Sequence, residues 1–197
     1  MRRGRFAVVL LTAAGSPLAG CATAEQAGTP PAEGSAAVDW SDTAYTLTCD
    51  GVVPGGFSAT VVGGHARVPA DESRPPHYAY YLVDVRGTAS GDVDGDGAPD
   101  TVVLLDCSPQ PSNGVVQEVQ VFASTGALLG TLPSPRTLRE DGVLPPVYDQ
   151  DGLTVEAGQI VAAMHAYGPE DYHASGPSVP LTVRWRYAGG HFERAAS

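Results

Sequence analysis

Short apolar segments separated by turns are the feature that most constrains the fold of this 197-residue chain. Gly and Pro turn residues recur roughly every ten residues, and no segment carries a long helical period. Polar and apolar residues alternate strictly from Tyr45 to Cys49 and from Leu181 to Tyr187. The near-continuous apolar run from Thr101 to Cys107 instead indicates a central strand buried on both faces. We therefore predict a mainly β fold, an antiparallel β-sandwich or strongly curled sheet of about eight to ten strands.

Further reversals of the chain are predicted in its second half. Residues 124–126 and 157–159 each separate two apolar segments and contain Gly, which is typical of hairpins. Residues Asp149 to Gly152 place two acids before a Gly, which favours an ordinary turn. One helical turn is predicted from Thr137 to Asp141.

The most heavily charged stretch runs from Asp92 to Asp100 and holds four Asp in nine residues. Such carboxylates repel one another, and Ca²⁺, which takes six to eight oxygen ligands from a tight loop, relieves the repulsion. The spacing predicts a calcium site whose ligands are the carboxylates of Asp92, Asp94, Asp96 and Asp100 and the carbonyl of Ala98. Gly97 takes the sharp turn, and Val103 stands where helix-loop-helix sites have a bidentate Glu. The alternative is a solvated Asp-Gly turn without an ion.

The run from Gly91 to Val103, Gly-Asp-Val-Asp-Gly-Asp-Gly-Ala-Pro-Asp-Thr-Val-Val, resembles the calcium loop of FG-GAP and VCBS repeats. In those repeats the loop also leads directly into an apolar strand. The resemblance implies structural calcium held by the same ligands, and it accounts for the missing acid at Val103. Propellers of this type repeat the loop once per blade, whereas this chain has one copy, so a propeller is not expected.

Residues 1–20 have the composition of an export signal. Arg2, Arg3 and Arg5 form a basic start, an apolar run from Phe6 to Ala14 follows, and small residues end the segment. The apolar run falls well below the roughly 20 residues that cross a bilayer as a helix. We therefore predict export from the cytoplasm.

The sequence Leu-Ala-Gly-Cys that ends at Cys21 resembles the bacterial lipobox. This resemblance implies that Cys21 is lipidated and anchors the mature protein to the outer face of the cell membrane. The alternative is an ordinary signal peptide and a secreted protein. Residues 21–37 lack apolar periodicity and are predicted to form a disordered tether, which leaves 38–197 as a single extracytoplasmic domain.

Cys49 and Cys107 are the two cysteines that remain once Cys21 is assigned to the lipobox. An even pair in an oxidising compartment favours a disulfide. Two buried free thiols are the alternative, and the distance between their Cα atoms decides between the two interpretations.

The charge balance of the chain is strongly acidic, with 11 Arg or Lys against 22 Asp or Glu. Removal of the signal, which carries three Arg and no acid, leaves eight Arg against 22 acids, a net charge of −14. Nucleic acid and anionic lipid surfaces require a basic footprint and are excluded as partners. We expect a monomer that contacts the membrane only through its lipid anchor and binds an envelope component or protein.

Larger parts of the chain resemble small secreted proteins and lipoproteins of actinobacteria that carry a single loop of this kind. The shared features are a Cys soon after the loop, at Cys107, a Leu-Gly-Thr-Leu strand at residues 129–132, and a closing aromatic strand with a Gly turn at residues 185–190. That group has no established activity. The resemblance therefore supports location and architecture and adds nothing about a reaction.

One cluster of His and acids stands outside the calcium loop: His165, Glu170, Asp171 and His173. It makes a secreted hydrolase the alternative function, against a surface loop of isolated polar residues. The cluster lacks ligand spacing such as His-Glu-x-x-His, and the chain has neither a Gly-x-Ser-x-Gly elbow nor a phosphate-binding loop. The sequence therefore favours a non-enzymatic, calcium-stabilised binding or structural module.

Overall fold

The structure is a computed structural model that describes residues 38–139 and 143–196. The predicted signal (1–20), Cys21 and the tether (21–37) lie outside the described residues. The described part of the chain forms eleven strands in three antiparallel sheets, which confirms the predicted mainly β, sandwich-like fold. The described strands exceed the predicted eight to ten because a short strand at residues 65–69 carries little apolar alternation.

The strands are β1 Ala44–Leu47, β2 Phe57–Thr60, β3 His65–Pro69, β4 Tyr80–Gly91, β5 Asp100–Gln110, β6 Val116–Phe122, β7 Leu128–Thr131, β8 Val147–Glu156, β9 Gln159–Ala166, β10 Val179–Ala188 and β11 His191–Arg194. A five-stranded sheet has the order β3-β4-β5-β6-β7, and a four-stranded sheet has the order β11-β10-β9-β8. Strands β1 and β2 pair with each other as a separate two-stranded sheet.

Strand β5 lies at the centre of the five-stranded sheet and is covered on both faces. Successive side chains of a strand point to opposite faces. Val102 and Leu104 accordingly join the core shared with the four-stranded sheet. Val103 and Leu105 join a second core under β1 and β2. The predicted central, doubly buried strand is confirmed.

The larger core fills the space between the five-stranded and four-stranded sheets. Ile160, Met164 and Trp185 of the four-stranded sheet are fully or almost fully buried there, opposite Leu104 and Val121. Burial of each such side chain is worth about 1.5–3 kcal/mol relative to exposure. This core therefore holds the two larger sheets together.

The predicted hairpins at residues 124–126 and 157–159 are confirmed by the β6–β7 and β8–β9 pairings. The turn predicted from Asp149 to Gly152 is wrong. These residues lie inside β8, where the register with β9 shifts between Tyr148 and Leu153, so the extra residues form an irregularity within the strand. A single turn of 3-10 helix spans Pro135–Leu138, slightly earlier than predicted.

The disulfide between Cys49 and Cys107 is present, with 5.5 Å between the Cα atoms. That distance lies in the usual range for a disulfide, so the alternative of two free thiols is wrong. Both residues are fully buried. The bond attaches the chain just after β1 to the five-stranded sheet, near the end of β5.

Candidate metal site

The acidic loop connects β4 to β5, and the sheet fixes both of its ends. Gly91, the last residue of β4, pairs with Asp100, the first residue of β5. The backbone at Gly91 also lies against the facing sheet, since a β-carbon there would be 2.7 Å from the β-carbon of Val155. The loop is therefore held at the junction between the two larger sheets.

Within the loop, carboxylates accept hydrogen bonds from backbone N–H groups a few residues further on. These bonds run from Gly95 N to Asp92 Oδ1 (2.7 Å), Gly97 N to Asp92 Oδ2 (3.1 Å), Asp96 N to Asp94 Oδ1 (3.0 Å) and Ala98 N to Asp96 Oδ1 (2.7 Å). Gly95 and Gly97 have φ angles of +84° and +86°, which a residue with a β-carbon adopts only at a cost. The two glycines therefore allow the tight turn that folds the acids inward.

Asp100 differs from the other acids of the loop because it is completely buried. Its Oδ2 accepts hydrogen bonds from the N–H groups of Val93 (2.8 Å) and Asp94 (3.2 Å). Its Oδ1 is also buried and has no hydrogen-bond partner among the described residues. A buried carboxylate oxygen without a partner is energetically costly, and a bound cation would offset that cost.

Carboxylate oxygens of Asp92, Asp94 and Asp100 lie within 4.8 Å of one another. Residues 38–139 and 143–196 contain no other grouping of three or more His, Cys, Asp or Glu that could hold a metal. Asp96, which the spacing also predicted as a ligand, is exposed and is not part of this group. Ala98 is half-buried and lies between Asp96 and Asp100 in the loop.

The donor set fits a hard divalent cation. Three carboxylates supply only oxygen ligands, which suit Ca²⁺ and Mg²⁺ better than transition metals. Mg²⁺ prefers few carboxylates and retains several waters, whereas Ca²⁺ accepts a flexible cage of six to eight oxygens. The chemistry of the site therefore fits Ca²⁺ best.

The His and acid cluster of residues 165–173 is arranged differently from the acidic loop. His165 Nδ1 lies 2.6 Å from Asp149 Oδ1 on the neighbouring strand. Asp171 Oδ2 accepts hydrogen bonds from Gly168 N (2.7 Å) and from the N and Oγ atoms of Ser178 (2.9 Å each). The Gly168 N–H, with Ser178, holds the pKa of Asp171 below its usual value. The Asp171 side chain thus links Gly168 to Ser178 within the loop that connects β9 to β10.

Glu170 and His173 are exposed. His173 lines a cavity whose lining does not include His165, Glu170 or Asp171. The structure therefore does not gather the four residues of this cluster into one cavity.

A cleft that the sequence analysis did not find lies near the other end of β5. It is formed by residues far apart in the sequence, among them Asp50, Glu118, Arg136 and Tyr148. The one available signal was the alternation of Glu118 and Gln120 with Val119 and Val121 in β6, a pattern that predicts a solvent-facing Glu118. In the structure β1 and β2 cover that face, and Glu118 is 6% exposed.

Comparison with known proteins yields no match to any protein family, curated protein or solved structure. Across the described ranges, no helix has the length and apolar character that crossing a membrane requires.

Proposed function

We propose that the protein is a calcium-stabilised, non-enzymatic domain that is displayed outside the cytoplasm as a binding or structural module. The observation that carries this proposal is the buried, unpartnered Oδ1 of Asp100, in a carboxyl group clustered with those of Asp92 and Asp94. A calcium ion bound by these three residues would satisfy that oxygen. The resemblance to FG-GAP and VCBS loops implies the Ala98 carbonyl and Asp96 as further ligands, and the exposed Asp96, which lies outside the grouped carboxylates, would contribute least.

The role of the ion in this proposal is to hold the two larger sheets together. Val93 lies between two of the ligand residues and is 5% exposed, in the core between those sheets. Its N–H donates to Asp100 Oδ2, which couples the buried Val93 to the Asp100 carboxylate. Without the ion, repulsion among the carboxylates would loosen the loop and withdraw Val93 from the core.

The location of the protein in this proposal is extracytoplasmic, with a lipid anchor at Cys21. The Cys49–Cys107 disulfide supports an oxidising compartment. Calcium modules outside the cytoplasm function with a Kd on the order of 10⁻⁴ to 10⁻³ M, so weak binding by the three grouped carboxylates is sufficient. The proposed partner is an envelope component or protein, and the acidic charge argues against nucleic acid.

Isothermal titration of Ca²⁺ into the chelator-treated protein tests the metal proposal. We expect one binding event with a Kd on the order of 10⁻⁴ to 10⁻³ M. The double variant Asp94→Ala, Asp96→Ala should show no binding heat, whereas Asp151→Ala, which changes an exposed Asp outside the loop, should behave as wild type. Absence of heat for the wild-type protein would refute the ion.

Expression of the Cys21→Ser variant in a bacterial host tests the anchor. We expect wild-type protein to partition with the membrane fraction and to incorporate a labelled fatty acid. The variant should do neither. Equal incorporation by the two proteins would place the lipid elsewhere, and incorporation by neither would favour secretion.

A further inference from the structure

Two adjoining cavities form one cleft near the end of β5 that is remote from the acidic loop. Their volumes are about 510 and 480 Å³, and both are lined by Asp50, Gln117, Pro135, Arg136 and Tyr148. Each volume falls in the range of small-molecule sites, roughly 300–1,000 Å³. Asp106 lies six residues after Asp100 on the same strand, roughly 20 Å away at the rise of a β-strand. The cleft is therefore separate from the proposed calcium site.

The carboxylates at the base of the cleft already have partners. Asp50 Oδ2 accepts a hydrogen bond from Arg136 Nε at 2.7 Å, and the Asp50 side chain is 9% exposed. Asp106 Oδ1 accepts from Gln117 Nε2 at 3.0 Å. Asp106 Oδ2 lies 3.2 Å from Arg86 Nε, an ion pair whose N–H is not aligned as a hydrogen bond. Among the described residues, Arg136 is the only Arg that lines the cleft, and its charge is already balanced by Asp50, so an anionic ligand gains no uncompensated cation.

Glu118, the third carboxylate of the cleft, is saturated by donors from the protein. Its Oε2 accepts from Thr48 N (3.1 Å), Thr48 Oγ1 (2.9 Å) and Asp50 N (3.4 Å). Its Oε1 accepts from Gln120 Nε2 at 2.8 Å. An ammonium ligand would have to displace these donors. The charge pattern therefore favours a neutral ligand.

The Tyr148 hydroxyl is the one buried side-chain polar group lining the cleft that the described residues leave without a partner. Tyr148 is 3% exposed, and its hydroxyl oxygen is buried with no hydrogen-bond partner among the described residues. Burial, together with the nearby Asp50 carboxylate, raises the pKa of Tyr148. The hydroxyl therefore remains protonated, and as a buried donor it lowers stability until it meets an acceptor.

An apolar rim borders the cleft. Val115, Leu144 and Val147 line it and are 56%, 39% and 38% exposed, so their apolar surface is open to a ligand. Pro145 and Tyr167, both half-buried, add further apolar surface to the same cavity. A sugar ring presents one apolar face of C–H groups and an edge of hydroxyls, so it matches this combination of rim and floor.

We propose that this cleft binds a neutral carbohydrate of one or two rings. The Tyr148 hydroxyl and the half-exposed Arg136 guanidinium donate hydrogen bonds to oxygens of the ligand. The apolar rim packs against the face of the ring. The calcium loop lies outside the cleft and takes no part in binding.

Titrations of the calcium-loaded protein with glucose, N-acetylglucosamine and maltose, followed by amide NMR, test this proposal. The Tyr148 amide, whose N–H donates to Gln117 Oε1, reports directly on the cleft. We expect at least one sugar to shift the Tyr148 and Asp50 amides in a saturable manner. Tyr148→Phe should lower the affinity for that sugar at least tenfold without lowering the melting temperature. Tyr172→Phe, at a 70% exposed position, should leave the affinity for the sugar unchanged.

Three results would overturn the proposal. The first is no shift of the cleft amides with any of the sugars. The second is undiminished sugar affinity in Tyr148→Phe. The third is preferential binding of a charged probe, either spermidine or glucuronate, which would show that the cleft does not favour a neutral ligand. None of these results would affect the calcium proposal, which the Ca²⁺ titration tests separately.

Discussion

The two ends of β5 each hold a buried polar atom without a partner among the described residues, and the two atoms differ in charge. At the start of the strand the atom is Asp100 Oδ1, part of a carboxyl group. Near the other end it is the Tyr148 hydroxyl, which is neutral at physiological pH and whose pKa burial raises further. A buried carboxylate is too costly to leave alone, whereas a buried hydroxyl costs only about 1–3 kcal/mol. The comparison predicts a permanent ion at one end and an exchangeable ligand at the other.

Removal of the disulfide should have the largest effect and tests whether the two ends are independent. The double variant Cys49→Ala, Cys107→Ala opens a loop with a sequence separation of 58 residues. We expect the free energy of unfolding to fall by about 4 kcal/mol, measured by urea denaturation. Stabilisation by Ca²⁺ should persist unchanged, because distant sites contribute additively. Loss of the calcium effect in this variant would instead show that the two ends are coupled.

Asp100→Ala should lower the free energy of unfolding in calcium by about 3 kcal/mol, because it unpairs the N–H groups of Val93 and Asp94 and removes a ligand. Chemical denaturation in calcium and in chelator measures the change. The exposed Asp151→Ala is the matched control, with an expected change within about 0.5 kcal/mol. If Asp100→Ala were as stable as Asp151→Ala, Asp100 would neither stabilise the loop nor bind the proposed ion.

Tyr148→Phe should change stability in the opposite direction, and by less. Removal of an unpartnered buried hydroxyl is expected to raise the free energy of unfolding by about 1 kcal/mol. Tyr45→Phe is the matched control, since Tyr45 is 1% exposed and its hydroxyl donates to the Trp40 carbonyl at 2.5 Å. That control should be destabilised by about 1 kcal/mol in the same denaturation experiment. Equal destabilisation of both variants would mean that the Tyr148 hydroxyl is already satisfied.

Asp96→Asn should have the smallest effect and decides between the ligand set predicted from spacing and the group found in the structure. Asp96 is exposed, and an amide oxygen can still accept the Ala98 N–H. We expect the stability change to stay within about 0.5 kcal/mol and calcium affinity to fall only slightly. A loss of affinity as large as that of Asp94→Asn would show that Asp96 is a direct ligand.

The sequence was sufficient to predict the acidic loop and the central strand, because both are encoded locally. The spacing of Asp92, Asp94 and Asp100 and the apolar run of β5 are each contained in one stretch of chain. Where prediction failed, tertiary pairing overrode local preference. Residues 149–152 have the composition of a turn, yet pairing of β8 with β9 on either side keeps them within a strand.

The cleft could not have been predicted for a related reason. It combines residues near positions 50, 117, 136 and 148, which only the packing of the sheets brings together. The polar face of β6 carries Glu118 and Gln120, which alternation assigns to solvent. Burial of that face depends on β1, which lies about 70 residues earlier in the chain and whose Thr46 carbonyl accepts from Gln120. No local pattern encodes such a contact.

The melting temperature of the chelator-treated protein during addition of Ca²⁺ tests the central claim most directly. At a concentration of about 100 times Kd, a ligand that binds only the folded state adds about 2.7 kcal/mol. For a domain of this size that corresponds to a rise of about 5–10 °C. We predict such a rise for the wild-type protein and none for Asp100→Ala. An unchanged melting temperature of the wild-type protein at 10 mM Ca²⁺, about 100 times a Kd of 10⁻⁴ M, would contradict the account.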